Sequence, residues 1–274
     1  MKPILFNTDM VRAILDGSKT VTRRVVKPQP AKWQRVENLE SGQKFVFSSA
    51  CEVKECNPPC RPGDILYVRE TFQIDYLSNI PGSGRIHYKA DDTYNDFDFA
   101  PERYEMMRRA QLKPGWSPNE NMPREAARIF LWVTGVRVER LQDITVEDIL
   151  REGTPDEAPP PICLGEATFP EGFEQWSDAK RDEWYNGTAR ARYIGWCDYA
   201  DKLIRKFIVI WNNCYAKPRP VKGKDGKIDH YESYPWEDIL ETRIHRGKPW
   251  YVIGNPWVWV IEFDRCEKPE GEIP

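Results

Sequence analysis

Apolar positions in this chain fall into a few patterned stretches separated by long polar ones. Met10, Val11, Ile14 and Leu15 recur at helical spacing, with Thr8 as the predicted N-cap and Asp9 in the first turn. Gly17 suits the left-handed position that ends such a helix. The turn Arg61-Pro62-Gly63-Asp64 introduces a predicted strand over 65–72, and a second, longer strand over 129–138 bends at Gly135. Thr145 caps a short helix, with Asp148 in the manner of a capping box. Val146, Ile149 and Leu150 form its apolar face and Gly153 ends it. Leu203, Ile204, Phe207, Ile208, Trp211 and Tyr215 give a helix over 201–215, and 256–263 reads as a buried closing strand.

The remaining stretches read as large peripheral insertions at about 28–62, 73–125 and 154–249. They are rich in proline, glycine and charge. Residues 85–88 form a short strand within the second, and Pro159-Pro160-Pro161 lies in the third. Regular strand–helix–strand alternation is missing, which excludes a doubly wound sheet. The expected architecture is α+β: one domain over 1–274 with a barrel-like core formed by 1–27, 63–72, 129–153 and 250–263.

Composition narrows the class. Hydrophobic residues make up 40% of the chain, with 11 Trp, 12 Tyr and 11 Phe, enough for a sizeable core. A net charge of −3 excludes a general polycation, so any nucleic-acid contact must come from a local basic patch. No apolar run approaches the ~20 residues of a membrane helix, and no signal-peptide pattern follows Met1. The expectation is a soluble, cytoplasmic protein. Seven cysteines, mostly scattered, suit free thiols. Cys51, Cys56 and Cys60 cluster, but without a CxxC knuckle or a nearby histidine they predict no metal site. His87, His230 and His245 lie far apart, and phosphate-loop, nucleophile-elbow, zincin and dinucleotide motifs are absent from the sequence.

The densest chemistry is Gly17-Ser18-Lys19-Thr20-Val21-Thr22-Arg23-Arg24. It sets an amine, two threonine hydroxyls and two guanidiniums on a strand leaving a helix end. On a strand, 20, 22 and 24 share one face and 19, 21 and 23 the other. Lys19 and Thr22 therefore converge only if the strand starts after Lys19 or twists locally. The plain structural alternative is a lysine complementing the helix dipole and threonines as ordinary strand formers. Glu152, in the last turn of the second short helix, places a carboxylate against the negative helix end, which raises its cost and marks it as a functional candidate. Arg69 and Arg124 are candidate nucleic-acid contacts beside Arg23 and Arg24. Arg69 and Glu70 fall on opposite strand faces, so the plain reading makes one a buried-edge ion-pair member and the other a surface charge. Arg128 with Arg124 reads as a basic rim, and Trp257 and Trp259 as core.

These blocks, with 63–70, 141–153, 255–261, Trp116-Ser117-Pro118 and Met122-Pro123-Arg124, resemble ASCH-domain proteins. The nearest likeness is to the longer members of bacteriophages and prophages. The resemblance implies a PUA-like β-barrel with flanking helices. Some small members of the family are amidohydrolases that remove the acetyl group of N4-acetylcytidine with a Lys, a Thr and a Glu. Carried over residue by residue, that site is Lys19, Thr22 and Glu152, with no cofactor. The implied partner is RNA, single-stranded nucleic acid or a modified nucleoside. As an enzyme, Thr22 attacks an amide carbonyl, Lys19 activates it and Glu152 holds the lysine or moves a proton. On that reading Lys19→Ala and Glu152→Ala abolish deacylation and leave the melting temperature nearly unchanged. The alternatives are a non-catalytic binding module that uses Arg23, Arg24, Arg69 and Arg124, a ribonuclease, or a protein that engages a host factor through its insertions. Oligomeric state is not legible in the sequence.

Overall fold

The computed structural model of the protein describes residues 1–29, 35–39, 44–48, 53–78, 82–112, 114–155 and 172–269. In chain order the elements begin β1 (Lys2–Leu5), α1 (Thr8–Leu15), β2 (Val21–Val25), β3 (Arg35–Leu39), β4 (Lys44–Ser48), β5 (Val53–Cys56) and β6 (Ile65–Arg69). Next come β7 (Phe72–Leu77), β8 (Ser83–Tyr88), β9 (Tyr94–Asp98), α2 (Tyr104–Gln111), β10 (Phe130–Arg140) and α3 (Val146–Arg151). The last are α4 (Asp178–Tyr215), β11 (Arg219–Lys222), β12 (Ile228–Ser233), β13 (Leu240–His245), β14 (Lys248–Ile253) and β15 (Trp257–Cys266). This is a mixed α+β chain with several sheets and few helices. It divides into two compact units: Met1–Asp143 with Arg151–Gly153 and Pro256–Pro274, and Ile144–Leu150 with Thr154–Asn255.

The first unit is organised by a mixed sheet of order β1-β6-β10-β15-β2. β1 runs parallel to β6, and the remaining pairs are antiparallel. One face buries Ile4, Leu66, Val68, Leu131, Val133, Trp259, Ile261 and Phe263 against Phe6 and the α1 residues Val11 and Ile14. Helix α1 is amphipathic as the spacing predicts, but its cap differs. Asn7, not Thr8, lies outside the helix in extended conformation and accepts from the Met10 amide at 2.9 Å. Gly17 takes φ +85°, the left-handed value that a side chain would resist. The predicted bend at Gly135 is a register shift against β15 between Val133 and Gly135.

The strand predicted over 65–72 is broken in two. The Glu70 amide donates to the Met122 sulfur at 3.1 Å instead of to a ladder partner, so β6 stops at Arg69 and β7 begins at Phe72. The Glu70 carboxylate is buried and takes both arms of the Arg128 guanidinium at 2.9 Å. Arg128 also donates to Asp91 at 2.7 and 3.0 Å and to the Thr93 hydroxyl at 2.8 Å, and lies 3.9 Å from the Tyr88 ring centroid. Glu70 is therefore the buried ion-pair member, and Arg128 is no rim charge. Burial pushes the Glu70 carboxyl above its ordinary range despite the Arg128 bonds.

Two of the expected irregular insertions carry regular structure. Within 28–62, β3, β4 and β5 form an antiparallel sheet. Within 73–125, β7, β8 and β9 form another, whose inner face joins Phe72, Ile74, Ile86, Tyr88 and Phe97 to Met107 of α2. A register shift between Ile74 and Tyr76 interrupts the alternation that would have marked β7.

In the second unit α4 starts at Asp178, well before the predicted 201, because Ser177 caps it and no proline follows until the helix has ended. A four-stranded sheet, order β11-β12-β14-β13, completes the unit. Tyr199, Leu203, Phe207, Trp211, Tyr231, Tyr234 and Val252 are buried, and the Trp211 indole donates to the Tyr234 carbonyl at 2.8 Å. The stretch 154–249 is thus more than an excursion, carrying its own helix and sheet.

Arg128→Met should cost about 3–5 kcal/mol, because it strands a buried carboxylate. Adding Glu70→Met should recover most of that loss. Urea denaturation of the two variants checks both statements, and a single variant as stable as wild type would show that Glu70 does not depend on Arg128.

Candidate functional site

Strand β2 lies at an edge of the five-stranded sheet, and the site is built around its start. The Thr20 carbonyl accepts from the Phe263 amide at 3.0 Å, and by the same register Thr22, paired with Ile261, turns its backbone groups toward β15. Val21 and Arg23 therefore present theirs to the open edge. The chain just past α3 packs here. Lys19 and Glu152 form an antiparallel bridge, and the Thr20 amide donates to the Arg151 carbonyl at 2.9 Å. Gly153 follows with φ +73°, and a Cβ there would lie 2.6 Å from the Cβ of Ala13 and 2.9 Å from that of Lys19. Only glycine permits this approach. Glu152 is accordingly not in the last helical turn but one residue beyond α3.

Lys19 is buried, its side chain 0% exposed. Its Nζ donates to the Val21 carbonyl at 2.8 Å, the Glu152 carbonyl at 2.8 Å and Glu152 Oε2 at 2.7 Å. Three N–H groups meet three oxygens, the full donor capacity of an ammonium. Nζ also lies 5.6 Å from the Phe6 ring centroid. Burial pulls the lysine below its usual range; Glu152 opposes the shift, and Arg24 and Arg23 add to it.

The other Glu152 oxygen, Oε1, accepts from Arg23 at 3.2 Å. Arg23 is 1% exposed and also donates to Glu139 from Nε at 3.1 Å and from Nη2. Cross-strand pairing explains the gathering. Arg23 opposes Val260, which opposes Arg137, and Glu262 lies between Val21 and Gly135. All these residues share one sheet face. Arg137 bonds Glu139 at 3.3 Å and also Glu262, and Arg151 reaches Glu262 at 3.6 Å and the Thr20 hydroxyl at 3.3 Å. The result is a run of alternating charge from Lys19 through Glu152, Arg23, Glu139, Arg137 and Glu262 to Arg151.

Thr22 sits on the opposite face, opposite Ile261 and beside Arg24. It is 2% exposed, and its hydroxyl makes no hydrogen bond to a described residue. Strand β2 indeed begins after Lys19, which leaves the ammonium at the sheet edge. From there it faces Glu152 and Arg23 on one side and Phe6 on the other.

The predicted basic contacts separate. Arg23 is buried and spent on two carboxylates, so it is no surface contact for a phosphate. Arg24 donates to the Leu5 carbonyl at 2.7 Å and lies 5.1 Å from the Phe6 ring centroid. Arg69, the register partner of Leu5, donates to the Met122 carbonyl at 2.8 Å. These two guanidiniums flank the end of β1, where Asn119 also donates to the Phe6 carbonyl at 2.7 Å. Arg124 instead lies 5.7 Å from the Tyr67 ring centroid. Sequence reasoning missed Glu139, Arg137 and Glu262. Their signal is the Arg137-Val138-Glu139 alternation, which sets both charges on one strand face.

Of the cysteine cluster, Cys51 lies outside the described residues. Burial and Asp64 push the buried Cys60 thiol up to about 11, and no group of metal-ligating side chains is assembled among the described residues. Likewise no helix there is long and apolar enough to cross a membrane. Comparisons of the chain with family models, with curated proteins and with solved structures found no match.

The burial of Lys19 and Glu152 overturns the expectation that truncating either leaves stability unchanged. Removing one partner of a buried pair costs about 3–5 kcal/mol. The direction of the lysine shift has a further consequence. The unfolded chain holds the Lys19 proton up to the ordinary 10.5, and the folded chain releases it earlier. Between the lowered value and 10.5 the unfolded state binds more protons, so this group's contribution to stability rises with pH. Wild type should gain stability relative to Lys19→Met as the pH is raised from neutral into that window. A relative loss in denaturant titrations would mean that Glu152 outweighs burial.

Proposed function

We propose that the chain is an ASCH-type amidohydrolase of N4-acylated cytidine, and that its five-stranded sheet with α1 corresponds to the PUA-like barrel of that family. One observation carries the reading. Lys19 and Glu152, distant in sequence, meet at 2.7 Å in a buried pair at the edge of the strand that carries Thr22. Buried ionisable groups shifted by desolvation, as Lys19 is, concentrate at functional sites. Phosphate binding alone calls for no buried carboxylate.

The geometry favours a division of labour. With three oxygens around Nζ, Lys19 rests as an ammonium, so it is not the free base. It supplies positive charge near the reacting oxygen and, acidified by burial, a proton. Thr22 Oγ attacks the acyl carbon and the C–N bond breaks. Lys19 gives a proton to the departing cytidine nitrogen, and the Thr22 hydroxyl proton replaces it in the Lys19–Glu152 pair. Water then cleaves the threonyl ester, releasing the carboxylic acid and restoring the hydroxyl. Arg23 and Glu139 position Glu152 and touch no substrate. Arg24 and Arg69, at the end of β1, are the groups proposed to hold the sugar or phosphate side, in a free nucleoside or in RNA.

Thr22→Val separates catalysis from folding, because the hydroxyl has no bond within the described protein to lose. Release of cytidine and acetate from N4-acetylcytidine should fall by roughly a thousandfold or more, with the melting temperature held. Wild type without turnover would sink the enzyme. If it still bound RNA, with salt-dependent loss in Arg24→Ala, the binding-module reading would replace it.

A further inference from the structure

We propose that β13 pairs antiparallel with β13 of a second copy of this chain, about a two-fold axis at Thr242, joining two four-stranded sheets into one. The inference is independent of the catalytic reading and rests on the second unit alone.

Strand β13 is an edge strand, paired only with β14. The ladder continues one step beyond it, where the Gly254 amide donates to the Ile239 carbonyl at 2.7 Å. Backbone direction alternates along a strand, so Glu241, Arg243 and His245 point their backbone groups at β14. Leu240, Thr242 and Ile244 point theirs outward, and none of these meets a partner among the described residues. No proline or register shift blunts the edge. Leu240 and Ile244 are each 71% exposed. They share a face with Tyr251, the register partner of Thr242 between them, which is 39% exposed.

Side-chain order selects the occupant. A two-fold normal to the sheet keeps each face, so only registers centred on a residue are allowed. Centring on Glu241 or on Arg243 sets like charges opposite each other. Centring on Thr242 sets Thr242 against Thr242, Glu241 against Arg243, and Leu240 against Ile244. Polar meets polar, charge meets opposite charge and apolar meets apolar. The same register brings the outward backbone groups of Leu240, Thr242 and Ile244 into mutually bonding pairs. The backbone permits every residue-centred register, since each pairs outward groups with outward groups, and the side chains favour the one centred on Thr242. Such matching is the mark of a self-complementary, isologous surface.

Sedimentation equilibrium of the full-length chain should show a concentration-dependent dimer. Thr242→Pro removes an outward amide that takes no part in the β13–β14 ladder, so it should give a monomer that melts as the wild type does at concentrations too low to dimerise. Arg243→Glu should weaken dimerisation about tenfold by setting carboxylates opposite each other at two symmetric places, and adding Glu241→Arg should restore it. A wild type that stays monomeric at every concentration overturns the proposal. So does a dimer that survives Thr242→Pro, and so does a charge-swapped pair that fails to recover.

Discussion

A buried ammonium is tolerated only if each of its protons finds an oxygen, and here that condition ties distant parts of the chain together. Lys19 meets it with the Val21 carbonyl, the Glu152 carbonyl and the Glu152 carboxylate. The first caps the open edge of β2. The other two hold the segment beyond α3 against the start of that strand. Arg23 then completes the carboxylate, and Glu139, Arg137 and Glu262 extend the same alternation across β10 and β15. Each charge is bearable because the next lies beside it, so the face behaves as one unit.

In the proposed reaction, that constraint divides the roles. Arg23 and Thr22 are neighbours in sequence but point to opposite faces, so the polar network holds Glu152 while the hydroxyl looks the other way. Lys19, at the edge between the faces, is the group that can act on both. The same arrangement removes Arg23 from any outward role. In the proposed reading the basic contacts pass to the half-buried Arg24 and Arg69 at the end of β1.

Much of the first unit's main sheet was legible, for physical reasons. Helix α1, the strand over 129–138 and the closing strand have strong periodicity and clear punctuation in Gly17, Gly135 and Gly153. The Lys19, Thr22 and Glu152 candidates came from a local cluster and a carboxylate in an unfavourable place, and the structure joins the first and third of these. The sheets β3–β5 and β7–β9 were not legible, since short strands with a bulge at Ile74–Tyr76 hide their alternation. Nor was the partner of Glu70. A buried ion pair is long-range, and Arg128 carries no local sign that it faces inward. The start of α4 was missed because residues 178–200 are polar enough to resemble a loop, and only the Ser177 cap marks where the helix begins.

The two units treat exposed strand edges in opposite ways. An open edge presents unpaired N–H and C=O groups, and proteins ordinarily disguise them. At β2 the disguise is chemical: an ammonium from the chain itself occupies the Val21 carbonyl, and the bridge at Glu152 closes the position next to it. At β13 the described residues supply no lysine cap and no covering segment, and the exposed apolar pair Leu240 and Ile244 flanks the outward amide of Thr242. An edge left open by neglect would carry no particular order of side chains. This one reads Leu-Glu-Thr-Arg-Ile, an order that complements itself when reversed, which ties its exposure to pairing rather than to solvent.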